Sequence, residues 1–228
     1  MARTTYRTEG ERLHIELVAA HTIMRRGADL TVAALGPHGT ALRTRAAPIR
    51  SAGRWLVTFM THHHASEDVF LWPLLRDAFP QASYALDTLA AQHDALDADL
   101  LRLTGALMAL PDGKSNDVLL IDCARRAAEA VRRNVRTHIE AEEPLLAALF
   151  PHVAGPEAAR VRASIVADAP KGGPDLVLGL LALPEPAPGH DVMLASFPTS
   201  MRLLRPLLLR GYLRRIRRLG VQADGISS

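Results

Sequence analysis

Two short stretches of this sequence pair a histidine with a glutamate four residues later. The first pair is His63 and Glu67, and the second is His138 and Glu142. On an α-helix, side chains at positions i and i+4 project from the same face about one turn apart. Each pair can therefore offer an imidazole nitrogen and a carboxylate to one cation.

A lone histidine precedes each pair at a similar distance. His21 lies 42 residues before His63, and His93 lies 45 residues before His138. The chain is therefore interpreted as a helix pair written twice, with a lone histidine on the first helix and the His–Glu pair on the second. Folded together, the two copies offer four imidazole nitrogens and two carboxylates to the interior of one helical bundle.

This donor set favours particular metals. Imidazole nitrogen and carboxylate oxygen suit iron and, less selectively, manganese or zinc. Cys123 lies 15 residues before His138 on the same predicted helix, roughly 22 Å away along its axis, so a thiolate ligand is not expected. If both glutamates and an oxide or hydroxide bridge two metals, about two of roughly 12 coordination positions stay open. Such open positions favour small-molecule binding or redox chemistry over a purely structural site.

Three consecutive histidines, the histidine run His62–His64, leave the choice of metal ligand open at one point. His64 and Asp68 form a second i, i+4 pair, but consecutive residues point about 100° apart, so both pairs cannot face the metals equally. We choose His63 and Glu67 as ligands and expect His64 and Asp68 to flank the site. Three further histidines fall in turns or late segments and are expected to be solvated: His38, His152 and His190.

Helical periodicity predicts the elements that carry these residues. Apolar residues recur at helical spacing in four long segments: about Glu11 to Leu35, Pro48 to Phe79, Ser83 to Leu110 and Val118 to Phe150. Two predicted turns separate them: Gly36 to Gly39 and Pro111 to Asp117. Pro73 is expected to kink the second helix. No segment alternates with period two, so the fold class is predicted to be all-α, an up-down-up-down four-helix bundle.

The sequence changes character beyond Pro151. It contains a predicted helix from Pro156 to Ala167, a stretch rich in Pro and Gly, and a last helix from about Pro198 to Leu219. We predict two regions: residues 1–152 as the metal-binding bundle and residues 153–228 as a helical extension with a basic last helix. The leucines of that helix are expected to pack on the bundle, with contact to an anionic membrane surface or nucleic acid as the alternative.

Bulk composition indicates the class of protein and its expected location in the cell. The chain has 228 residues, 48% of them apolar, which is enough to bury a full core. Cys123, the only cysteine, is expected to be buried; it excludes an intramolecular disulfide and favours a reducing, cytoplasmic location. No segment resembles a secretory signal or a transmembrane helix. The net charge of +3 is uneven, because residues 201–228 carry seven arginines and one aspartate while the rest carries −3.

With these residues in view, the chain resembles the hemerythrin-like HHE cation-binding family. Its bacterial branch carries the phrase His-His-x-x-Glu-Asp-x-x-Leu-Trp-Pro, which occurs here from His63 to Pro73. The resemblance covers about residues 11–152. It implies a four-helix bundle that holds two non-heme iron ions joined by an oxo or hydroxo bridge. By position it implies six metal ligands: His21, His63, Glu67, His93, His138 and Glu142.

Two positions depart from the family pattern. Oxygen-carrying hemerythrins place a histidine one turn after the third-helix histidine, and here that position is Asp97. Either the missing imidazole leaves a second open position, or Asp97 is an additional ligand. Pro144 directly follows Glu142 and Glu143 and is expected to kink the helix, which leaves Glu143 as an alternative ligand.

The resemblance and the open positions together imply small-molecule chemistry. We expect a protein that binds or reduces dioxygen, peroxide or nitric oxide, in sensing or in oxidative or nitrosative defence. Two alternatives stay open: a diiron oxidase or oxygenase that acts on a small organic substrate, and an iron- or redox-responsive interaction module. The expected partner is a small diatomic ligand or peroxide. Nucleic acid is not expected, and peripheral membrane contact is left open.

Overall fold

A computed structural model describes residues 6–36, 45–110 and 118–221 of the chain. Over these ranges every regular element is a helix, and no strand occurs. The all-α prediction is therefore confirmed. The turns predicted at 37–39 and 111–117 lie outside the described residues.

Four long helices form the body of the fold: α1 (Glu9–Ala34), α2 (Ala46–Ser66), α4 (Ser83–Met108) and α5 (Val118–Leu149). The first begins at a regular N-cap, where the Thr8 hydroxyl accepts a hydrogen bond from the Glu11 amide at 3.1 Å. Helix α1 packs against α2 and α5, and helix α4 packs against the same two helices. The four helices thus form a bundle, while their up-down-up-down order stays a prediction.

The second predicted helix is interrupted just after the histidine run. Helix α2 ends at Ser66, a π-helical turn covers Glu67–Leu71, and helix α3 (Trp72–Ala78) continues the path. The amide of Trp72 donates to the carbonyl of Glu67, five residues back. Pro73 has no amide hydrogen to donate, so the regular four-residue bonding cannot run through this point. The kink predicted at Pro73 takes the form of this wider turn.

The C-terminal region is more helical than its sequence suggests. Between residues 153 and 221 it contains five helices: α6 (Gly155–Asp168), α7 (Pro174–Ala182), α8 (His190–Ser196), α9 (Thr199–Leu203) and α10 (Arg205–Leu219). Helices α7 and α8 lie in the stretch that was predicted only as rich in Pro and Gly. Helix α7 begins after Gly173, whose φ of 68° suits glycine. Its leucines are buried all round, so no polar face gives it a helical period.

Two further expectations from the sequence are wrong. His190 is buried at the start of α8, where its Nδ1 lies 2.8 Å from the Asp191 carboxylate, whereas His152 is exposed as expected. Cys123 is exposed, although a buried position was expected. Cys123 lies beside the buried stripe of α5 that begins at Ala124 and Ala128, so it faces outward. The burial of His190 depends instead on helices distant in the sequence, such as α1 and α10.

A polar layer divides the apolar core into two clusters. The first, which we call the α10-side cluster, contains Met24, Met60, Leu96 and Val135 among others. The second, the α6-side cluster, contains Leu17, Trp72, Leu89 and Leu146 among others. The bundle has four long paths: α1, α2 with its π-helical turn and α3, α4, and α5. On each path, the predicted ligand residues lie between residues of the two clusters. The sequence-predicted metal site therefore lies in the middle of the bundle.

The C-terminal helices complete both ends of this core. Leu176 and Leu180 of α7 and Tyr212 and Ile216 of α10 belong to the α10-side cluster, and Ala158 of α6 belongs to the α6-side cluster. The extension thus shares the core of the bundle. The division of the chain at residue 152 stays a prediction. Within the described residues, no helix combines the length and the apolar character needed to cross a membrane.

We expect Tyr212→Ala to lower the free energy of unfolding by about 3–5 kcal/mol, because it leaves a cavity where a buried ring lies against the backbone of Gly179. Denaturant unfolding measures this change. Tyr84→Ala is the matched control, since Tyr84 is 86% exposed, and should cost less than about 0.5 kcal/mol. Equal stabilities of the two variants would mean that α10 is not part of the folded core.

Candidate metal centre

Seven side chains with metal-ligating chemistry make up the polar layer. They come from all four long paths of the bundle, and none of these side chains is more than 9% exposed. Six are the ligands predicted from the sequence, and the seventh is a neighbour in the histidine run. The seven are His21, His63, His64, Glu67, His93, His138 and Glu142.

Glu67 occupies the centre of the layer. Its Oε1 lies 3.1 Å from His63 Nε2 and 3.9 Å from His21 Nε2. Its Oε2 lies 3.4 Å from His93 Nε2. The two oxygens of one carboxylate therefore face histidines that belong to different helix pairs of the repeat.

Glu142 faces the same space from α5. Its Oε2 lies 3.2 Å from His138 Nε2 and 3.4 Å from His21 Nε2. The Nε2 atoms of His93 and His138 are 3.1 Å apart. The histidines of both copies of the repeat thus turn their Nε2 atoms towards one small volume, as the repeated spacing indicates.

His64 is the residue that the sequence prediction left outside the ligand set. Its donor nitrogen lies in a group with those of His93 and His138, all within 4.8 Å of one another, and its ring stacks on His93 at 4.4 Å. The structure therefore adds His64 to the candidate ligands, beside the flanking role expected from the sequence. The available signal was the buried stripe of α2, in which Leu56 and Met60 are followed at the same spacing by His64.

Two of the histidines are held from outside by carboxylates. His21 Nδ1 lies 3.1 Å from Glu143, whose carboxylate also accepts a hydrogen bond of 3.0 Å from Arg25. His93 Nδ1 lies 3.0 Å from Asp68. An acceptor at Nδ1 keeps a hydrogen on that nitrogen, so Nε2 is the nitrogen that faces the interior and offers its lone pair whenever the imidazole is neutral.

The other two outer partners are an amide and a more distant carboxylate. His138 Nδ1 lies 2.9 Å from the amide oxygen of Gln92, and His64 Nδ1 lies 3.5 Å from Asp97. Asp97 is half exposed and faces the outer side of the imidazole. Asp97, like Asp68 and Glu143, therefore contacts a histidine from outside the layer and does not enter it.

Charge within the layer shifts the pKa values of its members in opposite directions. Burial alone would lower the pKa of His21, but the carboxylates of Glu142, Glu143 and Glu67 outweigh it and raise that pKa to about 10. Burial alone would raise the pKa of Glu67, but His63 and His21 hold it well below its usual range.

His93 behaves in the opposite way to His21. Burial and the neighbouring His64 lower its pKa to about 3, although Glu67 acts against them. At neutral pH His93 is therefore an uncharged imidazole, and Glu67 is a carboxylate. Both are in the protonation states that bind a metal cation.

The interior of the layer lacks hydrogen-bond partners. Among the described residues, seven buried donor and acceptor atoms of the layer have none: Nε2 of His21, His63 and His64, and both carboxylate oxygens of Glu67 and of Glu142. Buried polar atoms without partners are costly, and buried carboxylates more so. Three overlapping sets of these side chains have their ligand atoms within 4.8 Å. The residues therefore fit bound metal cations.

Comparison with known proteins agrees with this chemistry. A family model described as Hemerythrin HHE cation binding domain matches residues 14–152. The matched segment contains all seven residues of the polar layer, and it confirms the resemblance drawn from the sequence. No curated protein and no solved structure matches the chain.

We expect metal binding to the metal-free protein to release about one proton per chain at pH 8 from His21, whose pKa is raised to about 10. Because the protonated imidazole cannot bind a cation, the apparent affinity should rise with pH up to that pKa. Anaerobic calorimetric titration with Fe(II), in buffers of different ionisation enthalpy, counts the protons.

Glu143→Gln provides the comparison, since it removes one of the carboxylates that raise this pKa. In the variant, proton release should fall to half a proton at a lower pH than in the wild-type protein. Proton release that is absent from the wild-type protein at pH 8, or a pH profile that the substitution leaves unchanged, would contradict the electrostatics of the layer.

Proposed function

Because this chain belongs to the hemerythrin HHE cation-binding domain family and carries its metal-binding domain, we propose that it is a non-heme diiron protein. It binds or reduces a small ligand such as dioxygen, peroxide or nitric oxide, in sensing or in oxidative or nitrosative defence. The supporting observation is the position of Glu67, whose two oxygens face histidines from both copies of the repeat.

Two cations explain this position better than one. His21 and His63 gather with Glu67 on one side, while His64, His93 and His138 gather on the other. A carboxylate that faces two groups of imidazoles has one oxygen for each cation. Nitrogen and carboxylate ligands without a thiolate suit iron, with manganese or zinc as less favoured occupants.

The donor set leaves room for a small ligand. Five imidazoles and two carboxylates, if both glutamates bridge, supply nine protein atoms to two cations that need about 12. A bridging oxide or hydroxide fills about two of the remaining positions, which leaves about one for an exogenous molecule. His64 thus takes the place of the fifth imidazole that Asp97 does not supply, and the site is more closed than six ligands would make it.

The burial of the site favours a small ligand over an organic substrate. The layer lies between two apolar clusters, and its most exposed side chain is that of His63 at 9%. When bound, an iron pair supplies electrons and an open position, while the surrounding leucines and Trp72 exclude water. A diatomic molecule or peroxide needs little space there, whereas an oxidase acting on an organic compound needs a pocket beside the metals.

The residues around the layer orient it and connect it to the surface. Asp68 and Glu143 fix the orientation of His93 and His21 through their Nδ1 atoms. Both carboxylates are partly exposed. They can therefore exchange protons with solvent while each remains hydrogen-bonded to a buried imidazole. Protons from solvent can thus reach the buried site through these two groups.

Metal analysis and a visible spectrum of the purified full-length protein test the proposal. We expect about two iron ions per chain, near-ultraviolet charge-transfer bands, and a spectral change on adding azide or nitric oxide. In Glu67→Ala and His93→Ala, iron content should fall by at least about half, because the first loses a bridge and the second a buried ligand. The exposed His152→Ala is the control and should keep its iron.

Two results would contradict the proposal. A colourless protein with one zinc ion would overturn the diiron assignment, and full iron occupancy in Glu67→Ala would overturn the bridging role. An iron-loaded protein whose spectrum responds to none of azide, nitric oxide and peroxide would instead leave the redox-responsive interaction module as the better account.

Metal removal should also destabilise the fold. Without cations, the buried carboxylates and imidazoles face one another across an apolar core, so we expect the melting midpoint to fall by about 10 °C or more. Thermal melting with and without chelator measures this shift, and adding chelator to protein already free of metal is the control. An unchanged midpoint after verified metal loss would contradict a site in the centre of the core.

A further inference from the structure

The C-terminal helices expose leucines that the core does not need. Tyr212, Ile216 and Leu219 form the buried face of α10 and pack in the α10-side cluster. Three other leucines are exposed: Leu203 at the end of α9 at 77%, Leu204 between the two helices at 48%, and Leu207 on α10 at 56%. The leucine-rich sequence therefore supplies more than one apolar surface, and packing on the bundle accounts for only part of it.

Arginines continue this exposed surface along α10. At about 100° per residue, Leu207, Arg210, Arg214 and Arg217 fall within an arc of about 80° on one side of the helix. All four side chains are exposed. The arc begins with leucine near the N-terminal end of the helix and becomes basic towards its C-terminal end. We call the surface formed by Leu203, Leu204, Leu207, Arg210, Arg214, Arg217 and Arg218 the leucine–arginine face.

The positive charge of this face has little compensation nearby. Residues 201–221 contain seven arginines and no acidic residue. Arg214 and Arg218 line a cleft of about 410 Å³ with Ser51 of α2, and the carboxylate in that cleft, Asp175, is bound to Arg215 at 2.9 Å. In the described parts of the chain, no carboxylate forms an ion pair with Arg210, Arg214, Arg217 or Arg218.

We propose that the leucine–arginine face is a docking surface for an anionic lipid bilayer. Such a bilayer satisfies both halves of the face at once, because its phosphates pair with the arginines while the leucines enter the boundary between headgroups and acyl chains. The helix then lies along the membrane surface with its buried side still packed on the bundle.

Other partners satisfy only one half of the face. Nucleic acid would neutralise the arginines but leave Leu203, Leu204 and Leu207 in water. A second copy of the chain could cover the leucines, but it would bring two arginine-rich surfaces together without carboxylates to separate them. The combination of exposed leucines and uncompensated arginines therefore selects the lipid surface.

Vesicle flotation of the full-length, iron-loaded protein tests the proposal. We expect it to float with vesicles containing about 30 mol% phosphatidylglycerol, to remain unbound with pure phosphatidylcholine vesicles, and to dissociate as salt is raised. Binding that is equal for both vesicle types, or absent from the anionic vesicles at low salt, would overturn the proposal.

Paired substitutions separate the two halves of the face. Arg210→Glu with Arg214→Glu should lower binding to anionic vesicles at least about 25-fold, at roughly fivefold for each arginine lost. Leu204→Ser with Leu207→Ser should also lower it at least about tenfold, by removing the apolar contact. The matched controls change exposed residues elsewhere: Arg133→Glu with Arg160→Glu for the arginine pair, and Leu101→Ser with Leu119→Ser for the leucine pair. Each control protein should bind anionic vesicles more strongly than the variant that it matches.

Iron content and far-ultraviolet circular dichroism of each variant distinguish a lost docking surface from a lost fold. Weaker binding with unchanged iron and helicity supports the proposal. Salt-sensitive binding of duplex DNA, unaffected by the leucine pair and stronger than vesicle binding, would overturn it in favour of nucleic acid. A concentration-dependent dimer abolished by the leucine pair, without vesicle binding, would overturn it in favour of a second copy.

Discussion

The structure depends on a layer of buried imidazoles and carboxylates that cannot satisfy one another. Within the described parts of the chain, both oxygens of Glu67 and of Glu142 are buried without hydrogen-bond partners, in the middle of an apolar bundle. Bound cations would offset the cost of desolvating these groups, so the fold is expected to be more stable with metal than without it. The division of the core follows from the same constraint, because the layer separates the apolar side chains of the bundle into one cluster above it and one below it.

The outer contacts determine how the imidazoles enter this layer. His21, His64, His93 and His138 each have an oxygen atom near Nδ1, so the opposite nitrogen points inward. Three of these oxygens belong to carboxylates on the rim of the site, which also increase the basicity of the imidazoles they contact. The six residues of the repeat are therefore not sufficient by themselves to orient the imidazoles. Glu143 and Asp97, which the sequence offers as alternative ligands, contact imidazoles from outside the layer.

Much of the fold and site could be predicted because the signals are local. A fixed spacing on a helix places two side chains on one face, and a matched repeat brings the two copies together. The place of His64 was not predicted, because helix geometry was used to choose one of two consecutive histidines, whereas the polar layer is wide enough for both side chains to reach it from different angles. Helix α7 was not predicted because burial on all sides removes the polar face on which periodicity depends. The burial of His190 was not predicted because it depends on contacts from helices distant in the sequence.

Each copy of the repeat has a proline shortly after its glutamate, and the two prolines have different effects. Pro144 lies inside a continuous α5, where Glu142 still points inward and Glu143 outward. Pro73 lies six residues after Glu67, and there the helix widens into a π-helical turn. The extra residue in that turn shifts the register of everything that follows. It brings Trp72 under His93, with ring centres 5.8 Å apart, while Glu67 stays directed at the layer. The asymmetry of the two prolines thus lets one copy of the repeat supply the central carboxylate and also close the α6 side of the site with an aromatic ring.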